Sequence, residues 1–242
     1  MKRNNAIFDI GANDGLDGLG LALLNPHVNV YAFEANPYMV EEIVKNKKKI
    51  EIFFNLKIDN YEVFNKAIAD FNGVADFFIS EYDLCSSLLK FKFLDTKIKI
   101  SCQVITLEKF CSQKKIDNII YLHVDTQGSD LKVLKGLFTY KKKVHTGVIE
   151  TAVKEEDILY EGGSSYDEVK QFFKKWNFKI IKTEFNTFNK KEINVYFSNS
   201  LMDGKKIIKF NKFKKRFINR IIKNRTEFKD YAYMLCLKFF KL

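Results

Sequence analysis

The chain's architecture is set at Ala6-Ile7-Phe8-Asp9-Ile10-Gly11-Ala12-Asn13-Asp14-Gly15. A short apolar run ends in a glycine loop. A helical pattern over 16–24 follows, until Asn25-Pro26 breaks it. Residues 28–34 read as a second strand ending at Glu34, and Asn36-Pro37 then opens a helix running to about Lys49. Strand, glycine turn, helix, strand, helix is the βαβ pattern of a doubly wound α/β fold.

Outward from that unit, 61–68 and 74–80 read as two strands around a turn at 71–73, and 97–107 alternates like another. Residues 118–124 form a buried-type strand ending at Asp125, with a helix predicted over 129–137. Residues 147–152 read as one more core strand. Residues 166–176 read as a helix with Phe172, Phe173 and Trp176 in the core, and 178–184 with 193–198 as a closing antiparallel hairpin.

The 242 residues are 46% apolar and 15% aromatic with only 2 Pro, which excludes a largely disordered chain. The net charge of +11 is not evenly spread. From residue 203 onward, 13 basic residues face 3 acidic ones, so residues 1–202 are close to neutral. The division is a domain over 1–202 and a basic tail over 203–242, whose apolar and basic residues sort to opposite halves of a helical wheel. Such a tail packs on its own body or in a dimer, lies on an anionic membrane or lipid-linked glycan, or binds nucleic acid, in that order. Its run at 231–240 is too short to span a bilayer and contains Lys238. The N-terminal segment, broken at Asp9 and Asn13, is not a signal peptide. Four cysteines without a C-x-x-C pair read as small buried hydrophobes in a reducing cytosol. The expected place is therefore cytoplasmic, with peripheral membrane attachment through the tail as a variant.

A glycine loop after a strand brings backbone N–H groups near a ligand. Glu34, 23 residues beyond Gly11, is placed to accept from both hydroxyls of a ribose. The dinucleotide fingerprint fails, because Asn13 and Leu16 stand where its second and third glycines belong; a P-loop fails for want of Gly-Lys-Ser/Thr. Asp9 beside the loop would repel a pyrophosphate but suits the ammonium of a methionine moiety, which favours S-adenosylmethionine. The bland alternative is a tight strand–helix turn with a solvated Glu34.

Three blocks carry a resemblance: Phe8 to Gly15 as quoted, Val30-Tyr-Ala-Phe-Glu-Ala-Asn-Pro37, and Tyr121-Leu-His-Val-Asp-Thr-Gln-Gly-Ser-Asp-Leu-Lys-Val-Leu-Lys-Gly136. With the smaller blocks Asn65-Lys-Ala-Ile68, Ser86-Ser-Leu88, Val104-Ile-Thr-Leu107 and Val148-Ile-Glu150, in order along the chain, they resemble the FkbM-type methyltransferase family. The resemblance implies a class I, Rossmann-like methyltransferase fold: a seven-stranded mixed sheet with its last strand antiparallel, here with a C-terminal helical extension. It also implies S-adenosylmethionine and a hydroxyl acceptor, often a sugar. Ala35, where proline is common, and Gln127, where glutamate is common, depart from the family pattern.

Ligands of open α/β sheets sit outside the carboxyl ends of the strands. His27 and His145 precede their strands and belong at the opposite edge; His123, inside a strand, reads as a satisfied core histidine. Asp125 and Glu150 fall at carboxyl ends. Asp125 is the first choice of general base and Glu150 the second, with an N-cap or cofactor-orienting role as the alternative for Asp125. Gln127 would orient the acceptor or the loop. Asp9, Gly11, Ala12, Asn13 and Gly15 are expected at the methionine end, Glu34 at the ribose, and Ala35, Lys66 and Ala67 at the adenine, with Asp125 completing the cofactor set. Ser86 and Ser87 are read as pocket-mouth or turn residues, and 160–165 as an acceptor lid or a surface loop. Asn36-Pro37-Tyr38 superficially resembles the N-P-P-Y motif of amino-methyltransferases but follows the second strand, where it starts a helix. No His/Asp cluster suggests a metal. The expected activity is S-adenosylmethionine-dependent O-methylation of a hydroxyl on a glycan or glycolipid sugar. The alternatives are an RNA-directed methyltransferase using the tail, and a non-catalytic membrane-associated adaptor. Acceptor identity and oligomeric state stay open.

Overall fold

The computed structural model describes residues 4–81, 85–93, 95–186 and 190–200. The amphipathic helix expected over 203–242 lies outside the described residues.

Seven strands form the main sheet: β1 (Asn5–Ile10), β2 (Asn29–Phe33), β3 (Tyr61–Phe64), β7 (Asn118–Val124), β8 (Thr146–Ala152), β9 (Phe178–Phe185) and β10 (Glu192–Asn199). Their order is β3-β2-β1-β7-β8-β10-β9. Strand β10 runs antiparallel to both neighbours, β8 and β9, while β1 pairs in parallel with β2 and β7. This is the mixed sheet with a closing hairpin that the resemblance implied. Central strands are covered on both faces, so they read as near-continuous apolar runs.

On one face Phe8, Phe33, Leu122, Ile149 and Phe197 pack under α3 (Leu107–Gln113), α4 (Asp130–Lys135) and α5 (Tyr166–Lys175). Phe110 of α3 wedges among Phe8, Tyr31, Phe33 and Phe64, with ring centroids 4.8–5.8 Å away. Edge-on contacts of this kind are favourable beyond their buried area. On the other face Ile7, Val30 and Ala32 pack under α1 (Leu16–Leu24) and α2 (Pro37–Phe54). Pro37 opens α2 with Asn36 accepting from the Tyr38 N–H, and the helix runs past Lys49 because nothing stops it before Asn55 closes it in the left-handed region.

The single strand expected over 61–68 is two. The side-chain amide of Asn65 donates to the carbonyls of Glu34 and Ala35 at 2.9 and 3.1 Å, which breaks the run after β3. Beyond Lys66, β4 (Ala67–Ile68) joins β5 (Gly73–Ser80) and β6 (Thr96–Ile105) in a separate three-stranded sheet ordered β4-β6-β5. Strand β6 stops short of Leu107 because Thr106 caps α3, its hydroxyl accepting from the Lys109 N–H. That second sheet walls the cleft that opens beyond the carboxyl ends of β1, β2 and β7. Cys102 and Cys111 are buried and Cys85 half-buried; all three are free, with burial pushing the Cys102 and Cys111 thiols up to about 11 and about 12. Cys236 lies outside the described residues.

Candidate functional site

An open cleft lies at that edge. Gly11 and Asn13 after β1, Glu34 to Asn36 after β2, and Asp125 to Gln127 after β7 form its floor. Lys66, Ala67 and Phe77 close one side, and Ser86 with Leu88 the rim.

The loop after β1 does not offer its first N–H groups to a ligand. Those of Gly11 and Ala12 both donate to the Phe33 carbonyl, at 2.9 and 3.0 Å, and that of Asn13 donates to Glu34 Oε2 at 2.7 Å. Gly11 has φ +78°, and a Cβ there would lie 1.9 Å from the Asp125 carbonyl oxygen. The glycine serves the close approach of two strand ends rather than contact with a phosphate.

Glu34 is only 7% exposed and accepts from two backbone N–H groups, Asn13 and Asn36 (2.8 Å). Burial pushes its pKa up to about 7, against the lowering effect of those two hydrogen bonds. Beside it, the Asn36 Nδ2 is buried and has no partner among the described residues. A carboxylate acceptor and an orphan donor at one end of the cleft fit the ribose hydroxyls and polar edge of an adenosine.

Three expected ligand residues lie elsewhere. Asp9 is fully buried: its Oδ1 pairs with His123 Nδ1 at 2.8 Å, and its Oδ2 faces Gly18 of α1, where a Cβ would come within 2.4 Å. The expectation that Asp9 meets a methionine ammonium is therefore corrected, because its charge is already matched inside the protein. Burial alone would keep His123 neutral, but the hydrogen bond and charge of Asp9 prevail and raise its pKa to about 9. Ala12 is buried in the α1–α2 layer. Gly15 is the N-cap of α1 at φ +75°, where a Cβ would press Ile43 at 2.8 Å. Gly11, Asn13, Glu34, Ala35, Lys66, Ala67 and Asp125 do line the cleft.

At the other end, Gln127 bridges the two candidate bases. Its Nε2 donates to Asp125 Oδ1 at 2.6 Å and to Glu150 Oε2 at 3.3 Å, while its Oε1 accepts from the Tyr160 hydroxyl at 2.8 Å. Asn186 donates to the other oxygen of Glu150 at 2.9 Å. Glu150 lines a smaller pocket beside Tyr160, not the main cleft. Burial, then the charges of Asp125, Glu192 and Asp130, push its pKa up to about 9. Asp125 does not cap α4; Ser129 holds that position. Ser86 lines the cleft, whereas Ser87 is pinned, its hydroxyl directed at the carbonyls of Thr126 and Gln127. The 160–165 segment is anchored, not a free surface loop: Tyr160 is 2% exposed, and residues 90–92 bond to 159–161. His145 bonds to Ile119 at the far end of β7, the opposite edge, as the strand rule requires. The sequence marks Tyr160 only as the start of the 160–165 segment and does not mark Asn186; they lie 33 and 36 residues from their partners, with no local pattern to show these contacts.

A carboxyl that holds its proton more tightly when folded contributes stability that is full below its unfolded pKa and is lost as pH rises through the folded value. For Glu150 that window runs from about 4.5 to about 9. Unfolding free energy from urea titrations should fall over this window. A Glu150→Gln variant should fall less steeply, and an unchanged slope would contradict the assignment.

Residues 9–210 match the family described as Methyltransferase FkbM domain. The 2-O-methyltransferase NoeI of Sinorhizobium fredii (strain NBRC 101917 / NGR234) is 27% identical over 175 residues, 66% of this chain and 68% of that protein. The crystal structure of Methyltransferase FkbM from Methylobacillus flagellatus KT superposes with a TM-score of 0.53 at 15% identity, over 81% of this chain; the chain spans 45% of that one's length. M. capricolum TrmK in complex with S-adenosyl-homocysteine gives a TM-score of 0.47 at 15% identity, over 96% of this chain and 86% of that one.

Proposed function

We propose that this chain, which belongs to the FkbM methyltransferase family, carries a methyl group from S-adenosylmethionine to a carbohydrate hydroxyl, with Asp125 as the proton acceptor. One observation carries the reading: Glu34 at the end of β2 and Asp125 at the end of β7 face a single cleft across Gly11. A relative named as a 2-O-methyltransferase supports oxygen as the acceptor atom.

When bound, S-adenosylmethionine supplies an electrophilic methyl group on a sulfonium that becomes a neutral thioether. Glu34 would accept from the ribose hydroxyls, Asn36 Nδ2 would donate at the same end, and Lys66 to Ala67 with Phe77 would wall the base. Asp125 takes the proton of the acceptor hydroxyl as its oxygen attacks, which spares the oxygen a positive charge. Glu150, held protonated and facing the other cavity, is unsuited to that task. Much of the rate comes from holding acceptor and methyl in line.

The test is transfer of label from methyl-labelled S-adenosylmethionine to a panel of oligosaccharides, beside calorimetry with S-adenosylhomocysteine. Binding without transfer to any saccharide would remove the carbohydrate acceptor; no binding would remove the whole reading. Glu34→Ala should weaken S-adenosylhomocysteine binding about a hundredfold, since hydrogen bonds to a charged group are each worth about 1.5–3 kcal/mol. In the unsubstituted protein binding should tighten as pH rises through about 7, because the ribose hydroxyls favour ionised Glu34. A flat profile with unaltered Glu34→Ala affinity would place the ribose elsewhere.

A further inference from the structure

We propose that Tyr160 is a positioning residue for this reaction: its hydroxyl holds the Gln127 amide in place so that Nε2 donates to Asp125. The proposal rests on the reading of Asp125 as the proton acceptor.

A side-chain amide has one donating and one accepting end. The Gln127 amide sits among two carboxyl groups and a phenol, with Nε2 on Asp125 and Glu150 and Oε1 on Tyr160. Burial holds the Tyr160 phenol well above its ordinary pKa, so the hydroxyl stays a donor. The Cys85 carbonyl, at 3.5 Å, is a much poorer acceptor for it than Gln127 Oε1 at 2.8 Å. Donation to Oε1 leaves Nε2 for the carboxylates. Without that hydroxyl Oε1 loses its donor and the amide is held less firmly, so Nε2 donates less well to Asp125, which then binds its proton more tightly and becomes a poorer acceptor at low pH.

The ring and the hydroxyl of Tyr160 have separable roles. The ring lies against Gly128, where a Cβ would come within 2.8 Å of it, and Phe91 meets it edge-on at 5.0 Å. Backbone bonds between 90–92 and 159–161 hold the segment independently. The hydroxyl is the group that hydrogen-bonds to Gln127. The other groups around Asp125 are His123 on β7, Asp130 on α4, Glu150 on β8 and, behind it, Glu192 on β10. None of these is displaced by removing one phenolic oxygen.

The experiment is a carboxyl-carbon NMR titration of aspartate-labelled protein, with the Asp125 signal identified by its absence in Asp125→Asn. In Tyr160→Phe the Asp125 midpoint should rise by about one pH unit, with S-adenosylhomocysteine affinity unchanged. Gln127→Met should raise it similarly, and adding Tyr160→Phe to Gln127→Met should raise it no further. The acid limb of the methyl-transfer profile should move with the midpoint. An unmoved midpoint in Tyr160→Phe, a further shift in the double variant, or failure of Tyr160→Phe to fold would each overturn the proposal. Full transfer activity in Asp125→Asn would instead sink the choice of base, which the titration does not depend on.

Discussion

An Asp125→Asn variant should lose about two to four orders of magnitude in methyl-transfer rate while binding S-adenosylhomocysteine within a few-fold of the unsubstituted protein. General-base catalysis contributes on that scale, and the substitution removes basicity with almost no change of shape. The amide can still accept from Gln127 Nε2, so the link to Tyr160 is retained. Asp125 is also one of the charges that raise the pKa of Glu150 and Asp130. Its neutralisation should lower both and recover stability toward alkaline pH. Steady-state rates on a saccharide methylated by the unsubstituted protein, with unfolding followed at pH 6 and pH 9, check both effects. A rate within a few-fold of the original would mean that the proton leaves to water or another group.

Gly11→Ala should cost about 3–5 kcal/mol of stability, on the order of a 10 °C fall in Tm, together with donor binding. Two penalties coincide there. The backbone has φ +78°, and the new Cβ would lie 1.9 Å from a main-chain carbonyl oxygen that no rotamer change can move. The strand ends must separate, and that separation parts Asp125 from the loop carrying Asn13. Gly162→Ala is the control: φ is +72° but nothing lies within 4 Å of its Cβ, so it should cost only about 1 kcal/mol. Equal melting temperatures for the two variants would show that close packing at Gly11 is not decisive.

Much of the fold was legible because its signals are local. The breaks at Asn25-Pro26 and Asn36-Pro37, the apolar run over 118–124 and the alternation over 193–198 report burial on one or both faces, a property of neighbouring residues. The break at Asn65 was not legible, since what ends β3 is a hydrogen bond to carbonyls some thirty residues away. Helix α3 is not legible because its first apolar residue, Leu107, continues the alternation of the preceding strand.

The site divides in the same way. Strand ends locate Gly11, Glu34 and Asp125, and a sheet whose strands end along one edge brings them to one cleft. Whether each group faces a ligand depends on what lies across from it. The Asp9 carboxylate is matched by His123, 114 residues on; the loop N–H groups are taken by Phe33 and Glu34; and Glu150 is turned toward Asn186 and Tyr160. Periodicity and turns are written residue by residue, so the layers of this protein and the edge where chemistry sits follow from local sequence. Which of those groups remain for a ligand follows from the folded packing, because a buried polar group takes the nearest partner that packing supplies, and packing is a property of the whole chain.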